Sequence, residues 1–232
     1  MEAHELLVVE RNVFITISIL LLLIYAVMRN AFPRVFGMTY HLINLFGFRV
    51  KEEIGVSLKL LSKGQMFMSA IYALTLSFLL LYLGSYLLDV ESVMYDLISI
   101  KSYWNGLLVW ILISFAVYLS ILVKLVFLLF MSWLFNLSSG YKRQFSDFFT
   151  TSSVFFLMAS IALSILLYGQ VISGSNLSEV LAKIVILFFI YRTVLIYVKL
   201  LQTASYSKLY IFSYICTTEL IPLFIGINYL MK

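Results

Sequence analysis

Residues 107–135 read LLVWILISFAVYLSILVKLVFLLFMSWLF, and Lys124 is the only charged residue among them. A helix rises about 1.5 Å per residue, so roughly 20 apolar residues are enough to cross the hydrocarbon core of a bilayer. The run is longer than this minimum, and a longer span is accommodated by tilting or by extending beyond the hydrocarbon. We therefore predict a transmembrane helix here.

Similar apolar runs recur along the chain. Of its 232 residues, 63% are hydrophobic and 12% are charged, whereas soluble domains carry about 25% charged residues. The pattern predicts an all-α, polytopic transmembrane bundle of about six spans, in which residues 1–232 form a single integral-membrane domain. The predicted spans are Val13–Met28, Gln65–Leu88, Leu107–Phe135, Phe148–Tyr168, Val180–Leu201 and Leu209–Leu230.

The basic residues predict the orientation of these spans, because cytoplasmic loops accumulate Lys and Arg. Apart from Lys124 and Arg192, ten basic residues fall on one side and four on the other, so both termini are expected outside the cytoplasm. The ten are Arg29, Arg34, Arg49, Lys51, Lys59, Lys63, Lys142, Arg143, Lys199 and Lys208, and the four are Arg11, Lys101, Lys183 and Lys232.

Residues 29–64 form a cytoplasmic connector that is too long for a simple turn and too apolar for a disordered linker. Its second part opens with Glu52 and Glu53 and closes with Lys63 and Gly64, an order that suits a helix dipole and a C-terminal stop. We expect an interfacial amphipathic element lying on the membrane. A surface connector is the simpler interpretation, and lipid sensing is the alternative.

Three ionisable residues, Lys124, Arg192 and Glu219, fall inside predicted spans. An isolated charge at mid-bilayer costs roughly 2.5 to 3.5 kcal/mol on the insertion scale, so something must compensate it. Counted from the cytoplasmic ends of their spans, all three lie at a depth of about 15 Å. We predict that the Glu219 carboxylate pairs with both cations and brings three helices together.

One carboxylate between two cations leaves an excess positive charge. Partial neutrality of Lys124, assistance from Tyr191, Thr218 or water, and a visiting anion all remain open. Cys216 lets another helix approach the face of Glu219, and Pro222 predicts a bend that frees the carbonyl of Thr218. The cluster is expected to act as a packing or registration device, with a proton or ion relay and the binding of a partner's charge as alternatives.

Lys142, Arg143 and Lys199 form a basic face on the predicted cytoplasmic side. Lys142 and Arg143, together with Asp147, are candidates for contact with lipid phosphate at the mouth of the fourth span. A positive-inside loop explains Lys142 and Arg143 as well. Arg192, Lys199 and Thr203 share one helix face, which suggests either an anion path or one buried pair with a snorkelling lysine; the second is favoured.

The residues that several kinds of functional site require are missing from this sequence. The scattered basic residues argue against nucleic acid, and the sequence has no GxxxxGK[ST] or GxGxxG motif for a nucleotide. With two histidines and one cysteine, no metal site, haem site or cofactor is expected. Glu219 is the only acid expected within a span, so no catalytic carboxylate pair is predicted and the protein is not expected to be an enzyme.

The C-terminal stretch YIFSYICTTELIPLFIGINYL, residues 210–230, carries Tyr214, Cys216, Glu219 and Pro222 as its distinctive positions. Together with YLSILVKLVF, residues 118–127, and the helix around Arg192, it resembles an uncharacterised integral-membrane family of Bacteroidota, domain of unknown function 4271. The resemblance implies a bacterial inner-membrane location and six helices, and it implies no activity.

These observations favour a non-catalytic inner-membrane subunit or scaffold of a bacterial envelope complex, with the lipid bilayer and a membrane or envelope protein as its partners. The alternative is a small ion- or proton-coupled transporter or channel that uses the same charged cluster.

Overall fold

The computed structural model describes residues 2–41, 63–87, 100, 102–135, 140–169, 174–203 and 208–220. Every regular element in this part of the chain is helical. The helices are α1 (Glu2–Ala31), α2 (Pro33–Thr39), α3 (Lys63–Leu87), α4 (Tyr103–Leu134), α5 (Gly140–Gly169), α6 (Gly174–Thr203) and α7 (Lys208–Ile215), and α7 continues as a π-helical turn, Cys216–Leu220.

Five of these helices are long and apolar enough to cross a membrane. The chain is therefore an all-helical, multi-pass membrane protein, as the sequence predicts. The sixth predicted span begins with α7, and its remainder from residue 221 onward lies outside the described residues. The candidate spans are Val9–Ala31, Gly64–Ser85, Tyr103–Leu134, Gln144–Leu166 and Val180–Gln202.

The first span is longer than the sequence prediction, which began it at Val13. Helix α1 continues through the polar residues Glu10 and Arg11, because both residue types favour helices and no glycine or proline interrupts them. The fourth span also begins earlier, at Gln144 rather than Phe148. Glu10 and Asp147 therefore lie inside candidate spans, and the expectation that Glu219 is the only acid within a span is wrong.

Pairs of polar side chains join the helices inside the bundle. The Tyr25 hydroxyl on α1 lies 2.8 Å from Thr75 Oγ1 on α3, and Ser77 pairs with Ser114 of α4. Between α5 and α1, Ser164 Oγ donates to a serine hydroxyl at 3.0 Å. Such bonds between membrane helices contribute about 0.6 kcal/mol each on average, so they orient the helices more than they stabilise them.

Helices α5 and α6 run antiparallel, and their contact includes both aromatic and polar side chains. The Phe155 and Phe188 rings stack with centroids 3.7 Å apart. One turn earlier on α5 and one turn later on α6, Ser152 meets Arg192. This register places Arg192 in the interior of the bundle.

The first part of the predicted connector packs onto the bundle. The Phe36 and Tyr40 rings both contact Tyr25 edge to face, and burial is the main cause that raises the pKa of the Tyr40 hydroxyl well above its ordinary value. A Cβ added to Gly64 would lie 3.1 Å from Val35 Cγ2. The absence of a side chain at Gly64 therefore lets Val35 approach closely. Gly64 is the second residue of α3, whereas the sequence predicted that it ends a connector helix. The predicted element from Glu52 lies outside the described residues.

Candidate functional site: a buried charge cluster

Three helices each contribute one charged side chain to a single cluster. Lys124 Nζ of α4 lies 2.9 Å from Glu219 Oε2, on the π-helical turn. Arg192 Nη2 of α6 lies 3.5 Å from the same oxygen. The arrangement of one carboxylate between two cations is the one that the sequence predicts, and we call these three residues the triad.

Burial differs among the members of the triad. The side chains of Glu219 and Arg192 are 1% and 5% exposed, whereas that of Lys124 is 22% exposed. Removing charges from water costs several kcal/mol per ion, and pairing with additional hydrogen bonds is needed to offset it. Glu219 and Arg192 therefore form the sealed centre of the triad, and Lys124 forms its edge.

Neutral groups complete the surroundings of the Glu219 carboxylate. Gln144 Nε2, near the start of α5, lies 3.4 Å from Glu219 Oε1 and 3.2 Å from Thr218 Oγ1. The Tyr214 hydroxyl donates to Gln144 Oε1 at 2.6 Å. Because a hydroxyl donates to the amide oxygen, the amide nitrogen must face the carboxylate. Tyr214 thereby fixes the orientation in which Gln144 donates to Glu219.

Arg192 has contacts on several sides. Its Nη1 donates to Ser152 Oγ at 3.1 Å, and its guanidinium carbon lies 4.4 Å and 4.8 Å from the ring centroids of Phe148 and Phe189. Lys124 Nζ also lies over the Phe148 ring, 3.7 Å from its centroid. Cation–π attraction in a desolvated site is worth about 2 kcal/mol. The Phe148 ring contacts both cations and so helps to stabilise both charges. Among the described residues, Arg192 Nε has no hydrogen-bond partner.

Glu219 lies on a π-helical turn, Cys216–Leu220, which continues directly from α7. A π-turn inserts an extra residue into a helical turn and rotates the side chains that follow, and such turns are frequent at functional sites. The sequence prediction assigned the local irregularity to Pro222, which lies outside the described residues. The irregularity that the structure describes begins before that proline.

Another ion pair, separate from the triad, lies two helical turns from Arg192. Lys199 Nζ is 3.0 Å from Asp147 Oδ1, with side chains 10% and 14% exposed. The favoured prediction of a snorkelling Lys199 is therefore wrong, because a carboxylate on the neighbouring helix holds the ammonium inside the bundle. The Asp147–Lys199 ion pair connects α5 and α6, whereas the ion pairs of the triad connect α4 and α6 to the π-helical turn.

The other predicted site residues have mixed outcomes. Thr218 joins the triad through Gln144, and its hydroxyl donates to the Tyr214 carbonyl at 3.0 Å. Tyr191 packs at the edge of the hydrophobic core, and Cys216 is partly buried with a free thiol. The backbone of Lys142 and Arg143 belongs to α5, but their side chains lie outside the description, so their predicted contact with lipid phosphate remains a prediction.

The sequence prediction missed Gln144, Phe148 and Ser152, which follow one another at intervals of four residues on α5. That spacing places them on one helix face. A polar residue recurring on one face of an otherwise apolar helix was the available signal. Within the described residues, no group of three or more His, Cys, Asp or Glu side chains is placed to hold a metal ion.

Comparison with known proteins gives one family assignment. A family model matches residues 13–230. No curated protein and no solved structure matches the chain.

Proposed function

The chain belongs to the family described as Domain of unknown function (DUF4271), and from this premise we propose that it is a non-catalytic membrane subunit that holds a partner protein in the bilayer. Its triad fixes the packing of α4, α6 and α7, and the outer surfaces of the bundle bind the partner. The proposal includes six crossings, both termini outside the cytoplasm, and the inner membrane of a bacterium of the Bacteroidota as the location.

The observation that supports a structural role is the closure of the triad's centre. The Glu219 side chain is 1% exposed and is contacted by Lys124, Arg192 and Gln144. A carboxylate that carries protons or ions across a membrane needs a water-filled route on each side, whereas a carboxylate that fixes helix packing needs enclosure. Enclosure of this kind favours the registration role.

The proposal is tested by isolating the protein from its own membrane. Gentle solubilisation followed by native mass spectrometry should give a complex that contains a second polypeptide in fixed ratio. Chemical crosslinking before solubilisation should link the same two polypeptides. A protein recovered only as a free monomer under both treatments would overturn the proposal.

The second candidate is a small ion- or proton-coupled transporter or channel. The observation that favours it is the position of Glu219 on a π-turn, a type of element that is frequent at functional sites. Reconstituted protein would then show proton or ion flux that Glu219→Gln removes. Absence of flux in wild-type vesicles that contain folded protein would reject this candidate.

A further inference from the structure

The outward side of α4 carries two small residues, Ala116 and Ser120, in the two turns before Lys124, and we call this pair the stripe. Of the five candidate spans α4 is the most exposed, with 17% of its window buried compared with 39% to 56% for the others. Ala116 and Ser120 are exposed and lie at successive intervals of four residues before Lys124. Small residues at this spacing let two membrane helices approach closely.

Ser120 is suited to contact with an apolar neighbour. Its hydroxyl already donates to the carbonyl of Ala116 at 2.9 Å. A helix packed over this stripe would therefore leave no hydroxyl hydrogen without an acceptor. The side chains of the stripe are small, and the Ser120 hydroxyl already has its acceptor. The stripe ends next to the charged residue Lys124.

In the part of the chain that the structure describes, the positive charge at that end is incompletely compensated. The triad has two cations and one carboxylate, and both cations use the same oxygen, Glu219 Oε2. An ammonium group has three hydrogens to donate, and within the described residues the Lys124 ammonium donates to this one acceptor. Lys124 is also the most exposed member of the triad. The surplus positive charge thus lies next to the exposed stripe.

Two possible sources of negative charge do not suit this position. Trp133, 79% exposed near the end of α4, marks the level of the head groups, and Lys124 lies about 13 Å further into the membrane at 1.5 Å per residue. Lipid phosphate is therefore beyond contact with an ammonium that is turned inward to Glu219. A second copy of the chain packed on the same stripe would place Lys124 against Lys124, which is repulsive.

We propose that α4 binds a transmembrane helix of a different protein, and that this helix carries one Asp or Glu at the depth of Lys124. The partner helix packs over Ala116 and Ser120, and its carboxylate completes the neutralisation of the triad. This inference rests on the proposed function as a membrane subunit, and it names the surface and the chemistry of the partner.

The test uses the full chain in phosphatidylcholine vesicles and two synthetic transmembrane peptides. The peptides are tryptophan-free Leu/Ala helices that differ at one central residue, Glu or Gln, and each carries a dansyl group that accepts energy from the protein's tryptophans. We expect the Glu peptide to associate about tenfold more tightly than the Gln peptide, since polar contacts between membrane helices are worth about 1 to 2 kcal/mol in peptide systems.

Three variants separate the contributions. Lys124→Met should remove the preference for the Glu peptide, and Lys183→Met, at an exposed lysine of α6, should retain it. Ser120→Leu should weaken association with the Glu peptide by at least about threefold while leaving the triad and the thermal stability unchanged, because it fills the stripe without altering charge.

Equal association of the two peptides with the wild-type chain would overturn the inference, and so would a preference that persists in Lys124→Met. Failure of this test is distinguishable from failure of the proposed function. If native membranes yield a fixed-ratio complex but the peptides are not discriminated, the partner binds elsewhere and the inference about α4 alone fails.

Discussion

Replacing Glu219 with Gln tests whether the carboxylate makes the two cations tolerable inside the bundle. The amide keeps the size of the side chain and still offers an oxygen to Gln144, but it removes the negative charge that Lys124 and Arg192 share at 2.9 Å and 3.5 Å. Removing one partner of a buried pair typically costs about 3 to 5 kcal/mol. Because Arg192 is 5% exposed and has little access to water, we expect a loss in that range.

The assay is reversible unfolding in mixed micelles with increasing SDS, followed by circular dichroism and tryptophan fluorescence. A matched control is Thr217→Val on the same π-turn, whose hydroxyl bonds, among the described residues, to the carbonyl of Ser213 in its own helix. A substitution of this kind should change the free energy of unfolding by less than about 0.5 kcal/mol.

A double variant isolates the electrostatic origin of the loss. Adding Lys124→Met to Glu219→Gln reduces the number of unpaired cations from two to one, so at least about 1 kcal/mol of stability should return. If Glu219→Gln loses less than about 1 kcal/mol, or if the second substitution only adds to the damage, then charge pairing is not what holds these helices together.

Three further substitutions probe the surroundings. Asp147→Asn should destabilise the protein by less than Glu219→Gln, about 1 to 2 kcal/mol in the same assay, because the Asp147 and Lys199 side chains are 14% and 10% exposed and retain some solvation. Gly106→Leu should cost about 1 to 3 kcal/mol and lower the melting temperature, because even a Cβ at this position would lie 3.0 Å from Val13. Tyr214→Phe should cost about 1 to 3 kcal/mol, measured by the same SDS titration, because it removes the hydroxyl that fixes the glutamine amide facing the carboxylate.

The part of this arrangement that the sequence predicts follows from energetic necessity. A charge in hydrocarbon must find a partner, so single charges at equal depth within apolar runs predict contact, and Lys124, Arg192 and Glu219 do meet. The helices that bear them were also predictable, since an apolar run of spanning length must satisfy its backbone internally.

The other features of the site were not predictable because they leave little signal in the sequence. Burying the neutral side chain of Gln144 costs less free energy than burying a charge, so the sequence does not require a particular neighbour for it. Its contact with Glu219 depends on how α5 is rotated relative to α7. Asp147 falls so close to the end of an apolar run that small errors in the boundary decide whether it counts as inside. The π-turn has no residue signature of the kind that glycine or proline gives to other irregularities.

The sequence separations within the triad have a consequence for biogenesis. Glu219 follows Arg192 by 27 residues and Lys124 by 95, and a ribosome synthesises it last. Both cations therefore enter the translocon before the carboxylate that neutralises them exists. Release of the bundle into lipid becomes more favourable once Glu219 has been added, so nascent chains arrested before this residue should stay longer with the insertion machinery or be degraded by membrane proteases.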